Sequence, residues 1–233
     1  MTTKRESATR VAVLASGQGS TFEALVEAGR RGEMCAEVVL LIVSRQDAPA
    51  TELARRLGVE CVVLDEKLLG SAACDAAMET LLTGRRADLV VLAGYLRKVG
   101  PRTLRAFAGR LINTHPAPLP RFGGKGMFGE HVHRAVLQAG VATSAATVHL
   151  VDEEYDSGPV IAERPVPVLP SDDVATLRER VQAVERALLV STISDLADGR
   201  VAASSEASRP ARSNDLILAL GPIAPKKRQS SLG

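Results

Sequence analysis

Short unbroken apolar runs alternate along this chain with stretches whose apolar residues recur every three or four positions. Val11 to Ala15 is the first run; it breaks at Ser16-Gly17-Gln18-Gly19-Ser20, after which Phe22, Leu25, Val26 and Gly29 share one helical face. Glu37 to Val43 precedes a helical segment over Ala50 to Leu57, and Glu60 to Leu64 precedes another over Ser71 to Leu82. Asp88 to Ala93 is a fourth run. Continuous apolar runs of this kind suit strands covered on both faces, so the pattern predicts an α/β fold with an open, mostly parallel twisted sheet flanked by helices. Arg110 to Asn113, Ala145 to Val151 and Pro159 to Val168 bring the sheet to about seven strands. Val174, Leu177, Val181, Val184 and Leu188 then mark one stripe of a long amphipathic helix.

The periodic pattern stops near Arg200. Residues 1–200 are read as one catalytic domain with halves at about 10–100 and 101–200, and 201–233, rich in Ala, Ser, Arg and Pro, as a polar, mobile tail. Aromatic residues make up only 3% of the chain, so Val, Leu, Ile and Ala must fill the core. With 29 Lys and Arg against 27 Asp and Glu, the formal charge of +2 leaves no electrostatic footprint for nucleic acid or an anionic membrane. No stretch approaches the ~18 apolar residues of a membrane span, and the polar start carries no signal core, so a cytoplasmic location is expected. Cys35, Cys61 and Cys74 are odd in number and widely spaced, which fits reduced thiols rather than a zinc site or a disulfide framework.

Three segments carry candidate chemistry. The turn Gly17 to Thr21 lies between a strand and a helix, where free N–H groups and the helix dipole favour an anion; a phosphate site and a merely structural tight turn both fit. It is not a full dinucleotide fingerprint, because Phe22 stands where a small residue is needed. Asn113 and His115 are two residues apart at the expected carboxyl end of a strand, so both side chains point toward one crevice. An amide that polarises a carbonyl beside an imidazolium that stabilises an oxyanion suits acyl transfer to an amine; a satisfied polar pair is the alternative. The acidic loop Asp152 to Asp156 is either solvated or brings Asp156 to His115, where a carboxylate would raise the imidazole's pKa toward protonation near neutrality. His131 and His133 lack nearby metal-ligand partners and read as a surface helix start, with no metal expected.

Leu14 to Ser20, Leu92 to Lys98, Asn113 to Pro120 and Thr147 to Pro159, in this order, resemble the signature blocks of the phosphoribosylglycinamide formyltransferase family, over roughly Val11 to Arg200. The resemblance implies a formyltransferase-type fold with a Rossmann-like N-terminal half. It further implies transfer of the formyl group of 10-formyltetrahydrofolate to the amine of 5-phosphoribosylglycinamide, in purine biosynthesis. By the same resemblance Asn113 holds the formyl oxygen, His115 stabilises the tetrahedral intermediate, and Asp156 orients or charges His115 and relays protons. Gly19, Ser20 and Thr21 would bind the phosphate, with Gln182 and Glu185 facing the glycinamide and ribose. Leu96, Arg97, Lys98, Val99, Asp152 and Tyr155 would line the folate site. The partners implied are these two small molecules, the cosubstrate folate acting without a metal, on a monomer or homodimer.

Departures from the family pattern are Gln18, Thr21 in place of the usual Asn, Ala145 in place of a common Gly, and a long loop from Gly123 to Gly129 that either reshapes the crevice mouth or acts as a lid. Three rival readings follow from related chemistry or from the glycine turn. A formyltetrahydrofolate hydrolase is expected to carry a regulatory domain before the first strand, for which there is no room ahead of Arg10. Methionyl-tRNA formyltransferase is expected to have a basic loop after Pro120 and an RNA-binding domain. A non-catalytic NADP-binding module would use Arg45 on a 2′-phosphate and leaves Asn113, His115 and Asp156 unexplained.

Overall fold

The computed structural model describes residues 8–200. The expected tail, 201–233, lies outside the described residues. Strands β1 (Thr9–Ala15), β2 (Ala36–Val43), β3 (Cys61–Val63), β4 (Leu89–Leu92), β5 (Leu111–His115), β6 (Thr143–Leu150) and β7 (Val160–Pro167) form one sheet in the order β3-β2-β1-β4-β5-β6-β7. The first five are parallel, and β6 and β7 continue the sheet antiparallel. The helices are α1 (Ser20–Arg30), α2 (Ala50–Leu57), α3 (Glu66–Leu69), α4 (Ser71–Gly84), α5 (Pro101–Ala106), α6 (Glu130–Gln138) and α7 (Val174–Ala197).

Alternation along β1 explains why the sheet is covered on both sides. Val11, Val13 and Ala15 pack with α1, α6 and α7 residues such as Phe22, Leu25, Val132, Val136, Leu177 and Val181. Ala12 and Leu14 face the other layer, with Cys74, Met78 and Leu82 of α4 and Phe107 beyond α5. Phe22, which spoils the dinucleotide fingerprint, is fully buried in the first of these layers. It anchors the first turn of α1 against the sheet and so holds the glycine turn in place.

The strand order reverses direction at β1 and β4, and ligands of open α/β sheets bind where neighbouring connections leave on opposite sides. The turn after β1 runs to α1 on one layer, whereas the segment after β4 runs to α5 on the other. A crevice therefore opens above the carboxyl ends of β1, β4 and β5.

Three features differ from the sequence expectation. Helices α3 and α5 are too short for an apolar period to reveal them; each is defined by its cap. Asp65 accepts from Lys67 N at 2.9 Å, and the buried Asp75 carboxylate accepts from Arg102 N and Thr103 N ahead of the first turn of α5. Strand β5 runs on to His115, because β6 extends its ladder with Thr114 opposite Val148 and His115 opposite Thr147. Finally, α6 is not a purely surface element: His131 is exposed, but His133 is buried between Val132 and Val136.

Candidate active site

A single cavity of about 810 Å³ lies above these strand ends, within the range of ligand sites and large enough for two small molecules. Its lining takes in all the residues expected at the site: Gly19, Ser20 and Thr21; Asn113, His115 and Asp156; Gln182 and Glu185; Leu96, Arg97, Lys98 and Val99; Asp152 and Tyr155. Both halves of the chain contribute.

One end is made of backbone. Gly19 precedes α1 with φ 82°, and a Cβ there would meet the Ala50 Cβ at 2.8 Å, so neither the conformation nor the space admits a side chain. No side chain caps α1, and its first N–H groups, beyond the reach of any helical carbonyl, open at the cavity with the positive end of the dipole. Arg45 takes no part: its Nε donates to Ser16 O at 3.0 Å and pairs with Asp47 at 3.6 Å, outside the cavity lining. The cation that a 2′-phosphate reader would need is committed elsewhere.

The centre is made of side chains. Asn113 and His115 project from the same face of β5, as the two-residue spacing requires. Asp156 reaches them from the loop after β6, with φ 54° at Asp156 itself. That loop approaches closely because Gly123 has no side chain: a Cβ there would collide with Leu119 and Asp156. Asp156 Oδ2 lies 3.5 Å from His115 Nδ1 and accepts from Gly124 N at 3.0 Å, while Oδ1 accepts from Asn113 Nδ2 at 3.4 Å. Burial works against the Asp156 carboxylate, yet His149, the His115 ring and the Gly124 N–H together hold its pKa below the usual carboxylate range.

His149 joins this cluster without having been singled out from the sequence. It is buried, faces Asn113 across the β5–β6 ladder, and donates from Nδ1 to Leu150 O at 2.8 Å, with Nε2 3.1 Å from Asn113 Nδ2 and 3.5 Å from Asp156 Oδ1. Only the antiparallel register brings it there, and the connection of 116–142 hides that register from the sequence.

His115 departs from expectation in its charge. Burial is the largest influence and pushes its pKa below the ordinary imidazole value, although Asp156 and the Phe122 carbonyl pull upward. The expected rise does not occur, because Asp156 must compensate nearly complete desolvation of a ring that is 3% exposed. In this state Nε2–H donates to Phe122 O at 2.8 Å and Nδ1 faces Asp156.

The remaining wall combines α6 and α7. Arg178, Gln182 and Glu185 line the cavity from successive turns of α7, and His133 from α6. Burial raises the Glu185 carboxyl above its ordinary value, with Thr114 opposing. Across the cavity, Lys98 Nζ donates to Glu153 O at 2.9 Å and sits 5.3 Å from the Tyr155 ring centre, strapping the 152–156 loop to the segment after β4. Val99 is buried in the core while Leu96 is 54% exposed, so this wall offers the apolar Leu96 edge and the rim of Tyr155 to a flat ring. Among the described residues, no three His, Cys, Asp or Glu side chains gather as metal ligands would.

The family model described as formyl transferase matches residues 9–193. The chain is 42% identical over 191 residues to phosphoribosylglycinamide formyltransferase of Mycobacterium tuberculosis, covering 81% of this chain and 85% of that one. It is 35% identical over 195 residues to the chloroplastic phosphoribosylglycinamide formyltransferase of Vigna unguiculata, where the match covers 82% of this chain but spans only 62% of that relative's length. The solved glycinamide ribonucleotide transformylase 1 of Symbiobacterium toebii superposes with a TM-score of 0.78 at 38% identity, covering 85% of this chain and 92% of that one.

Proposed function

This chain belongs to the formyl transferase family, and on that premise we propose that it moves the formyl group of 10-formyltetrahydrofolate to the amine of 5-phosphoribosylglycinamide. The products are formylglycinamide ribonucleotide and tetrahydrofolate, a step of purine biosynthesis. The observation that carries the reading is the convergence of Asn113, His115 and Asp156 in one cavity with the open N-terminus of α1. One end suits a phosphate and the centre suits a carbonyl under attack.

Phosphate binds at the N–H groups of Gly19, Ser20 and Thr21, and Gln182 and Glu185 face the sugar and glycinamide. The folate lies against Leu96, Arg97, Lys98 and Val99 on one side and Asp152 and Tyr155 on the other. The two substrates together bring amine and formyl carbon into contact, which lowers the barrier by converting a bimolecular encounter into an intramolecular one. As the amine attacks, charge builds on the formyl oxygen, where Asn113 Nδ2 and a His115 N–H donate. Asp156 faces His115 Nδ1 and favours the imidazolium as that charge develops. The proton leaving the amine passes through the His115–Asp156 pair toward the departing folate nitrogen, and no covalent bond to the protein forms.

The 10–100 and 101–200 halves act as one catalytic domain, since each contributes to both substrate sites in this scheme. Three free cysteines accord with a cytoplasmic setting. Among the described residues no helix is long and apolar enough to cross a membrane. We keep monomer or homodimer as the assembly proposed, with small molecules as the substrates.

The test is folate deformylation followed by absorbance, with both substrates, without the amine, and with His115→Ala. Amine-dependent turnover lost in the variant is expected. Equal turnover without the amine would assign a hydrolase instead, and no turnover would overturn the activity.

A further inference from the structure

His133 has a chemistry that packing does not account for. Its neighbours on the buried face of α6, Val132 and Val136, are apolar, and a position serving only the core would be expected to match them. Instead it holds an imidazole that is 2% exposed, with Nδ1 buried and unpartnered. Among the described residues only Ser144 Oγ shares that condition, and Ser144 does not line the cavity. A buried imidazole among apolar neighbours, with no hydrogen bond at its inner nitrogen, costs stability, so a ligand contact at the ring's other nitrogen is the natural reason to keep the residue there.

The ring's surroundings define what it offers. Burial is the main influence on its charge, with Arg178 of α7 and His115 of β5 acting in the same direction and Glu130 of α6 acting against them; its pKa is pushed down to about 4. With no acceptor near Nδ1, the proton of the uncharged ring resides on Nε2, and the ring presents one N–H donor to the cavity it lines. Location decides which substrate it meets. α6 and α7 cover the same face of the sheet as α1, so His133, Gln182 and Glu185 stand on the side of the glycine turn, whereas Val99 belongs to the opposite layer.

We propose that His133 is a further binding residue for the amine-bearing substrate, its imidazole donating to an oxygen of the sugar–glycinamide arm between the glycine turn and His115. This inference rests on the activity proposed above. The experiment is steady-state kinetics and calorimetric binding of phosphoribosylglycinamide to the unmutated chain, His133→Leu and His133→Gln. Leucine fills the site without a donor, and glutamine restores one.

Expected is a rise of about tenfold in KM and Kd for phosphoribosylglycinamide in His133→Leu, the size of one neutral hydrogen bond. The KM for the folate stays within about twofold, the thermal midpoint does not fall, and His133→Gln recovers most of the affinity. Unchanged affinity in His133→Leu would overturn the inference alone, as would a parallel rise in both KM values with a lowered midpoint, which marks a structural role. Absence of amine-dependent turnover and of binding in the unmutated chain would overturn it together with the activity.

Discussion

The two ends of the cavity solve different problems by different means. At the turn before α1, the groups that meet a ligand are backbone N–H groups, fixed by a left-handed glycine and by Phe22 buried beneath it. Around His115, the groups that meet a ligand are side chains whose charge and orientation depend on one another: Asp156 on His115 and Asn113, and Asn113 on His149. A backbone site is indifferent to most side-chain changes and to pH. A coupled side-chain site is sensitive to both.

That contrast breaks most clearly at the centre. His115→Ala should lower kcat by at least about 10²–10³, the cost of one lost oxyanion donor, with the KM for phosphoribosylglycinamide within about threefold. A variant that keeps kcat and loses only affinity would place the chemistry elsewhere. Asp156→Asn should lower kcat by about 10–100-fold, the range of assistance from a positioned proton carrier. It removes the only influence of a neighbouring side chain that raises the His115 pKa, so the falling limb of rate against pH, where His115 loses its proton, moves to lower pH.

At the turn, the one substitution expected to matter is of the glycine itself. Gly19→Ala puts a Cβ against Ala50 at a positive φ, and should cost about 1–3 kcal/mol of stability with about a tenfold rise in KM for the phosphorylated substrate. Chemical denaturation and kinetics on one sample read both. Thr21→Asn, which restores the usual family residue, should change either constant by less than about twofold, since the N–H and not the side chain is the donor.

Acid sharpens the same contrast through stability. His133 is held neutral in the folded chain with a pKa of about 4 against an ordinary value of 6.5. A depressed folded value means the unfolded chain takes up the proton first. Its share of stability is full above about pH 6.5 and is lost as pH falls toward 4, on the order of 3 kcal/mol. Denaturant midpoints from pH 7 to pH 4 should therefore fall more steeply for the unmutated chain than for His133→Leu, and parallel curves would refute the assignment of the loss to this ring.

The alternation of strand and helix was legible because the parallel strands are uniformly apolar and the turns between them are rich in glycine and polar residues. The Asn113–His115 pair was legible for the same reason: a spacing of two in a strand fixes a shared face. His149 was not, since its place depends on an antiparallel register set across a long connection. His131 and His133, without nearby metal-ligand partners, read from the sequence as a surface helix start, and only the packing of α6 reveals which side of the helix is buried. The direction of the His115 shift was out of reach altogether. A carboxylate nearby can be guessed from a motif, but desolvation is a property of everything packed around the ring.

The Phe122 carbonyl bears on fidelity. A single N–H cannot serve two acceptors at full strength, so His115 must give up Phe122 O before Nε2 can assist a formyl group. On the proposed activity, a formyl donor that arrives alone would meet a ring still tethered to its own main chain, and stray water would gain little help from it. Release of that tether is then a change the bound substrates must bring about, and until it occurs a reactive carbon unit would be protected from loss to solvent.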